Sequence, residues 1–381
     1  MEYRRIGDAA PSMLGYGCMR FPLEGERRVL DETRAAALID RAMAAGITYY
    51  DSAWTYHDGE SEPFLGRALS RYPRDSYLLA TKLPCWLVDS RARAEEIIQR
   101  QLERLKTNYV DFYLLHSLTK RTWANMAELG IPQLLEEYQS RGVLRRLGFS
   151  FHDSYEVFQE ILTSRSWDFC QIQLNYMDTC HQAGVRGLEL ARSMGVPVVV
   201  MEPVKGGSLA RLPDYVMAPL RALDPSASTA SWAMRWAAGQ PGVAVVLSGM
   251  STEEQVEDNV NICSPFRPLN EEEQAAVEET AGLLRKRLKN GCTGCRYCMP
   301  CPAGVDIPGS FQLWNSMSVY KNRALTRRAW ERLGEESRPD RCVSCGQCET
   351  MCPQHISIRE QLGRITGEVT DFLNEEREAR G

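Results

Sequence analysis

Two cysteine runs near the C-terminal end hold the densest set of reactive side chains in the chain. They read Cys292-x2-Cys295-x2-Cys298-x2-Cys301-Pro302 and Cys342-x2-Cys345-x2-Cys348-x3-Cys352-Pro353. Three thiolates in step let one short loop wrap a cubane of iron and sulfide, each meeting a different iron. The fourth cysteine, set before a proline, lies too far along the chain to fold back onto the same cubane. In two-cluster modules it ligates the neighbouring cluster instead. That assigns Cys292, Cys295, Cys298 and Cys352 to one [4Fe-4S] cluster, and Cys342, Cys345, Cys348 and Cys301 to the other. Gly294 and Gly346 help each loop turn and expose its backbone N–H groups. The alternative is two zinc sites of four cysteines each, but zinc ribbons space their C-x2-C pairs more widely and lack a third cysteine in step. The remaining cysteines, Cys18, Cys85, Cys170, Cys180 and Cys263, are expected to be small buried hydrophobes.

A second constellation is scattered along the first third of the chain. Asp51, Lys82 and His116 each end a short apolar run, and Tyr56 follows Asp51 by five residues in DSAWTYHDGESE. Taken together, these types suit reduction of a carbonyl. A phenol can protonate the oxygen that hydride transfer leaves negative, although its free pKa is about 10. A neighbouring ammonium favours the phenolate, a carboxylate keeps that ammonium charged and oriented, and an imidazole can hydrogen-bond the carbonyl oxygen.

The elements that must bring these residues together are legible as a repeat. Apolar runs at Ser12–Gly17, Ile47–Asp51, Tyr77–Lys82, Val110–His116, Leu144–Ser150, Phe169–Leu174, Val196–Met201 and Val243–Ser248 read as eight buried parallel strands. Amphipathic stretches lie between them. Glu32–Ala45 has helical spacing and stops at Gly46, and Asp89–Lys106 opens on an aspartate suited to capping. Eight strand–helix repeats over about 250 residues predict an α/β fold, a (β/α)8 barrel. An open doubly wound sheet is less well matched, because Gly15-Tyr16-Gly17 is not followed by the rest of a G-x-G-x-x-G turn. The expected organisation is a barrel over residues 1–270 and a connecting helix over 271–291. A small, mostly helical two-cluster domain follows over 292–381, its middle (Ile307–Leu333) largely helical and its tail (Ile358–Arg380) polar.

At the tetrad Asp51, Tyr56, Lys82 and His116 the sequence resembles the aldo-keto reductases, over nearly the whole barrel. GFSFHD, NYMDTCHQAG, VMEPVKGGSLA and the two cysteine runs resemble the bacterial branch fused to a ferredoxin-like module. The resemblance implies that Tyr56 is the general acid/base, that Lys82 and Asp51 tune it, and that His116 orients the carbonyl. It implies a nicotinamide cofactor above Gly17, Cys18 and Met19, its carboxamide held by Ser150 and Gln171 and its ring packed by Met201. Phe151 stands where the family carries Asn, with His152 as the candidate substitute. Pro203, Val204, Lys205, Gly206 and Gly207 match the loop around the diphosphate. Gly249, Gln255, Asp258 and Asn259 match the adenosine end. Gly249 and Gln255 replace the Lys and Arg with which family members hold the 2′-phosphate of NADP. NADH is therefore expected to serve at least as well as NADPH.

Composition narrows the class further. The 381 residues are 44% hydrophobic and 25% charged, with a formal net charge of −5 and no long apolar run. Neither nucleic acid nor a membrane is expected as a partner, and the chain reads as cytoplasmic. The expected function is NAD(P)H-dependent interconversion of a small carbonyl and an alcohol, with two [4Fe-4S] clusters for electron transfer and a redox partner protein as a candidate. The alternative is an electron-transfer protein whose barrel is a cofactor-binding or docking scaffold. Trp54, Trp86 and Trp123 are candidates to line an apolar pocket.

Overall fold

Eight short strands carry the architecture, each buried on both faces as its apolar run requires. In chain order, β1 is Leu14–Gly17, β2 and β3 form a small antiparallel hairpin (Leu23–Glu24 and Val29–Leu30), β4 is Tyr49–Asp51 and β5 is Leu78–Leu83. Then come β6 (Phe112–Leu118), β7 (Leu147–Phe151), β8 (Phe169–Gln173), β9 (Val198–Met201) and β10 (Val243–Ser248). Apart from the hairpin they form a closed parallel barrel, β1 pairing with both β4 and β10. The computed structural model describes residues 1–25, 29–292, 294, 296–352 and 354–378, with side chains at the last helix up to residue 374.

The chain divides into two compact units, Met1–Ala210 with Ser226–Gln274, and Arg211–Pro225 with Ala275–Gly381. The first contains the barrel. Its interior is filled by Tyr49, Ala80, Phe112, Leu114, Phe169, Val199 and Val245, joined by Ile6 and Ala9 from the N-terminal turn. Tyr49 packs tilted against Phe112 at a centroid distance of 5.0 Å, and Phe112 meets Phe169 edge to face at 5.2 Å. Side chains alternate across a strand with period two. Each polar residue at a strand end therefore shares the inward face with an interior residue two places earlier. Asp51 follows Tyr49 in this way, Lys82 follows Ala80 and His116 follows Leu114; Gln171, in the middle of β8, likewise follows Phe169.

Local signals set the helices around the barrel. Glu32–Ala44 is capped by Asp31, whose side chain accepts from Arg34 N, and Gly46 follows its end with φ +84°. The third long helix is Arg91–Arg104, and its cap is Ser90 rather than the expected Asp89. Ser90 has the extended backbone of a cap and accepts from Arg93 N, while Asp89 lies one residue outside. Cys18, Cys85, Cys170 and Cys263 are buried as expected, but Cys180 is exposed, lying in a loop after β8.

In the second unit, Ile307–Tyr320 and Arg323–Leu333 are separate helices, broken where Lys321 adopts a left-handed conformation. The polar tail forms a helix, Ile358–Glu378. It buries Ile358, Leu362, Ile365 and Val369, spaced at three and four residues, against Val305, Phe311 and Trp314. Among the described residues, no helix is long and apolar enough to cross a membrane.

One close helix contact is a sharp test of the packing around the barrel. A Cβ at Gly66 would lie 2.3 Å from Arg104 O and 2.9 Å from Leu105 Cα, both backbone atoms with little room to retreat. Gly66→Ala is expected to destabilise the first unit by about 2 kcal/mol, the scale of overpacking. A lowered urea midpoint by tryptophan fluorescence is the measurement, and an unchanged midpoint would contradict this contact.

Candidate active site

The site is built around a buried charge. Lys82 is inaccessible to solvent, and its Nζ donates to Asp51 Oδ1 at 2.5 Å, to Ser52 O at 2.8 Å and to Tyr56 Oη at 3.4 Å. Burial opposes the charge on Lys82, but Asp51 and Tyr56 outweigh it and hold the ammonium pKa above its ordinary value. On the other face of β5, Thr81 Oγ1 donates to Glu62 Oε1 at 2.6 Å, and Gln101 Nε2 donates to Glu62 and to Lys82 O. This buried network fixes the strand from outside. Sequence reading missed it, although Glu62, Thr81 and Gln101 are polar residues within otherwise apolar or amphipathic runs.

Tyr56 opens a single turn, Tyr56–Gly59, in which His57 and Asp58 both adopt left-handed conformations. Burial raises the Tyr56 phenol above its ordinary value, and Lys82 works in the opposite direction without prevailing. The lysine thus acts in the sense expected from sequence, while the apolar surroundings keep the phenol protonated. His116 meets the Tyr56 ring edge-on, with centroids 6.1 Å apart, and lies 5.0 Å from the ring of Trp86. Its buried Nδ1 has no hydrogen-bond partner. Of the three tryptophans considered, Trp86 flanks His116, whereas Trp123 packs on Trp167 and Trp54 lies beneath Arg104.

The expected cofactor residues lie at the same strand ends. Gly17 pairs in register with Asp51, Cys18 N donates to Asp51 O at 2.8 Å, and Met19 is exposed. Ser150 and Gln171 are register partners on β7 and β8. Ser150 Oγ accepts from Ser117 N, and Gln171 Nε2 approaches Met201 Sδ at 3.6 Å. Gln171 Oε1 is buried with no partner, so an amide donor from a bound cofactor fits here. Phe151 points away from this group, packing on Phe149 and Phe158, and His152 is exposed. After β9, Pro203 is buried, and Gly206 and Gly207 have φ +62° and +96° with open space where side chains would stand. Val204 accepts through its carbonyl from the amides of Gly207 and Leu209.

At the end of β10, Gln255 Oε1 accepts from Ser251 N, Asp258 accepts from Ser228 Oγ, and Asn259 donates to Ser248 Oγ. Glu253 and Glu257 pair with Arg41. Arg20 was not singled out from sequence. A Cβ at Gly249 would fall 2.4 Å from Arg20 Cγ, so the glycine is what allows Arg20 to lie across this edge. Its only signal in the sequence is a lone basic residue three places beyond β1.

In the second unit the cysteines line two cavities. One, of about 200 Å³, is bounded by Cys298, Cys301, Cys342, Cys345 and Cys348. The other is bounded by Cys292, Cys298 and Cys352 with Ile307, Phe311, Ile356 and Ile358. Gly346 at the first cavity and Gly294 both have positive φ. Cys295 lies outside the described residues. The first space, ringed by five thiols, fits a polyatomic cluster better than a single ion, whereas the second is only about 20 Å³.

The electrostatics of His116 yield a test. Burial and then the Lys82 charge hold its pKa well below the ordinary value of about 6.5. A depressed histidine pKa means that the neutral form is retained at and above neutrality. The stability that depends on that form is lost only as pH falls below the unfolded-state value. In labelled-histidine NMR, the His116 signal is expected not to titrate between about pH 6 and about pH 8. A midpoint near about 6.5 would refute the burial argument.

A model of the aldo/keto reductase family matches residues 13–217 and 222–281, and a model of a 4Fe-4S dicluster domain matches residues 291–356. Among curated proteins, the chain is 28% identical over 310 residues to an uncharacterized oxidoreductase of Bacillus subtilis, YqkF, covering 73% of this chain and 96% of that one. It is 25% identical over 281 residues to an NADH-specific methylglyoxal reductase of Escherichia coli, covering 61% and 83%. Among solved structures, the holo form of aldo-keto reductase AKR11C1 from Bacillus halodurans aligns with a TM-score of 0.61 and 29% identity, covering 74% of this chain and 96% of that one. The chain therefore belongs to the aldo/keto reductase family, as an oxidoreductase that carries a C-terminal 4Fe-4S dicluster domain.

Proposed function

We propose that the barrel interconverts a small carbonyl compound and its alcohol with NADH or NADPH, Tyr56 acting as the general acid/base. The observation that carries this reading is the buried Lys82 Nζ, bonded to Asp51 Oδ1 and 3.4 Å from Tyr56 Oη. The nicotinamide ring, when bound, supplies or accepts the hydride at the substrate carbon. In the reducing direction Tyr56 Oη gives its proton to the carbonyl oxygen, and Lys82 stabilises the phenolate left behind. Asp51 keeps Lys82 charged in a site where burial alone would discharge it. Neutral His116 hydrogen-bonds the carbonyl oxygen, and the phenol, held protonated by burial, is in the form that reduction needs.

Gln171, with its unpartnered buried oxygen, and Ser150 would hold the carboxamide, and the open turn at Gly206 and Gly207 would take the diphosphate. Gly17, Cys18, Met19 and Met201 would frame the nicotinamide. Pro203 and Val204 would shape the diphosphate turn, and Gly249, Gln255, Asp258 and Asn259 the adenosine edge. Gln255 is already engaged with Ser251, and Arg20 lies against Gly249 at the same edge. The name of the E. coli relative, an NADH-specific methylglyoxal reductase, supports both NADH and a small carbonyl substrate. In the C-terminal domain we assign Cys342, Cys345, Cys348 and Cys301 to one [4Fe-4S] cluster, and Cys292, Cys295, Cys298 and Cys352 to the other. The two clusters would carry single electrons to or from a redox partner protein.

Three measurements test this reading. Tyr56→Phe is expected to lower kcat/KM for carbonyl reduction by about 10²- to 10⁴-fold, the usual worth of a general acid. Iron content should not change, and retained activity would remove Tyr56 from the chemistry. Wild-type kcat/KM is expected to be at least as high with NADH as with NADPH, and a strong NADPH preference would overturn that assignment. Anaerobically purified protein should hold about eight irons per chain, two clusters of four. Bleaching of the cluster absorbance by NADH would support electron traffic from nicotinamide to clusters. Full iron without any bleaching would count against it.

A further inference from the structure

The loop after β8 contains a carboxylate that the chemistry above does not use. Asp178 is mostly buried, with its side chain 14% exposed, and both its oxygens accept from Lys205 Nζ, at 2.7 and 2.5 Å. Its Oδ2 also accepts from Gln173 Nε2 at 3.0 Å and from Asn175 Nδ2 at 3.1 Å. Fully buried Asn175 donates as well to Glu202 O at 3.2 Å and accepts from the backbone amides of Met177 and Asp178. Asp178 is thus the hub that ties the end of β8 to the turn after β9.

That turn needs an anchor. Four of the six residues from Glu202 to Gly207 have positive φ: Glu202 (+59°), Lys205 (+49°), Gly206 (+62°) and Gly207 (+96°). Two of the four carry side chains that disfavour this region, so the conformation persists only if its surroundings impose it. Asn175 holds the turn at Glu202 O, and Asp178 holds it at Lys205 Nζ. Beyond these two points the chain opens at Gly206 and Gly207, where a Cβ at Gly206 would meet only Glu202 Oε2, at 3.8 Å, and one at Gly207 would meet nothing within 4 Å.

We propose that Asp178 is a positioning residue for cofactor binding. By anchoring Lys205 it holds the Glu202–Gly207 turn in the left-handed form that receives the cofactor diphosphate. This rests on the reading that the diphosphate binds at this turn. A preset turn spares the ligand the cost of ordering it, so the effect falls on affinity rather than on the chemical step. The proposal also fixes a sign. If Asp178 merely competed with a phosphate for the Lys205 ammonium, removing its charge would tighten binding.

The test is titration of NADH and of ADP-ribose, which shares the diphosphate but lacks nicotinamide, into wild type, Asp178→Asn, Lys205→Met and Lys205→Arg. Asp178→Asn and Lys205→Met should each weaken both ligands about tenfold, the scale of losing a charge-assisted hydrogen bond. Saturated kcat of Asp178→Asn should change less than about twofold, because no reacting atom is touched. Lys205→Arg, which can keep the ion pair, should retain most of the affinity, and the double variant Asp178→Asn/Lys205→Met should be no worse than either single. Unchanged or tighter binding in Asp178→Asn would overturn the proposal while leaving the cofactor reading intact. Failure of the wild type to bind either ligand would overturn both. Should Asp178→Asn not fold, the contrast between Lys205→Met and Lys205→Arg decides the same question, equal affinities counting against the anchor.

Discussion

A lysine ammonium buried in the mouth of a parallel barrel is an expensive thing to build, and most of the surrounding design answers to it. Lys82 has no access to water, so its charge survives only because Asp51 on the adjacent strand and the carbonyl of Ser52 stand within hydrogen-bond reach. Their spacing is set by the barrel: Asp51 pairs in register with Ala80, two places before Lys82 on the same inward face. Any slip of one residue between β4 and β5 would turn one partner outward and strand the other. The Glu62–Thr81–Gln101 network on the outer face guards against that slip, bonding both the Thr81 side chain and the Lys82 carbonyl. Phenol, imidazole and the Gln171 amide are then arranged around a fixed positive point.

The same inward face explains why so much was legible in the sequence. Strands buried on both sides appear as continuous apolar runs, and a polar residue that ends such a run on the inward face can point only into the barrel mouth. Asp51, Lys82 and His116 are all of this kind, whereas Gln171, in the middle of β8, follows only from the family resemblance. Tyr56, which lies off the strands, is reached through its spacing from Asp51 and held by a turn of two left-handed residues.

What was not legible depends on contacts between loops far apart in sequence or on choices between equivalent neighbours. Asp89 and Ser90 are both good caps, and only the backbone conformation chooses Ser90. The Asp178–Lys205 pair joins the loops after β8 and β9 across 27 positions of sequence, a contact that neither segment displays by itself. Arg20 acquires its place only because residue 249 lacks a side chain. The helix Ile358–Glu378 hid behind its charge: its four buried aliphatics keep helical spacing, but the polar residues between them dominate the composition.

The two cysteine-lined cavities share more than their chemistry. Each draws its walls from both cysteine runs, with Cys298 bordering the two, while Cys301 and Cys352 each lie against a cavity bordered by cysteines of the opposite run. Neither run can therefore complete a site by local folding alone, and the forty residues between Cys301 and Cys342 become a closed loop once either site is filled. On the cluster assignment proposed above, filling the first site would draw the second together at little further entropic cost. Assembly of the domain would then be cooperative, favouring chains that are fully loaded or empty over half-loaded ones, and loss of the last run would unmake both sites at once.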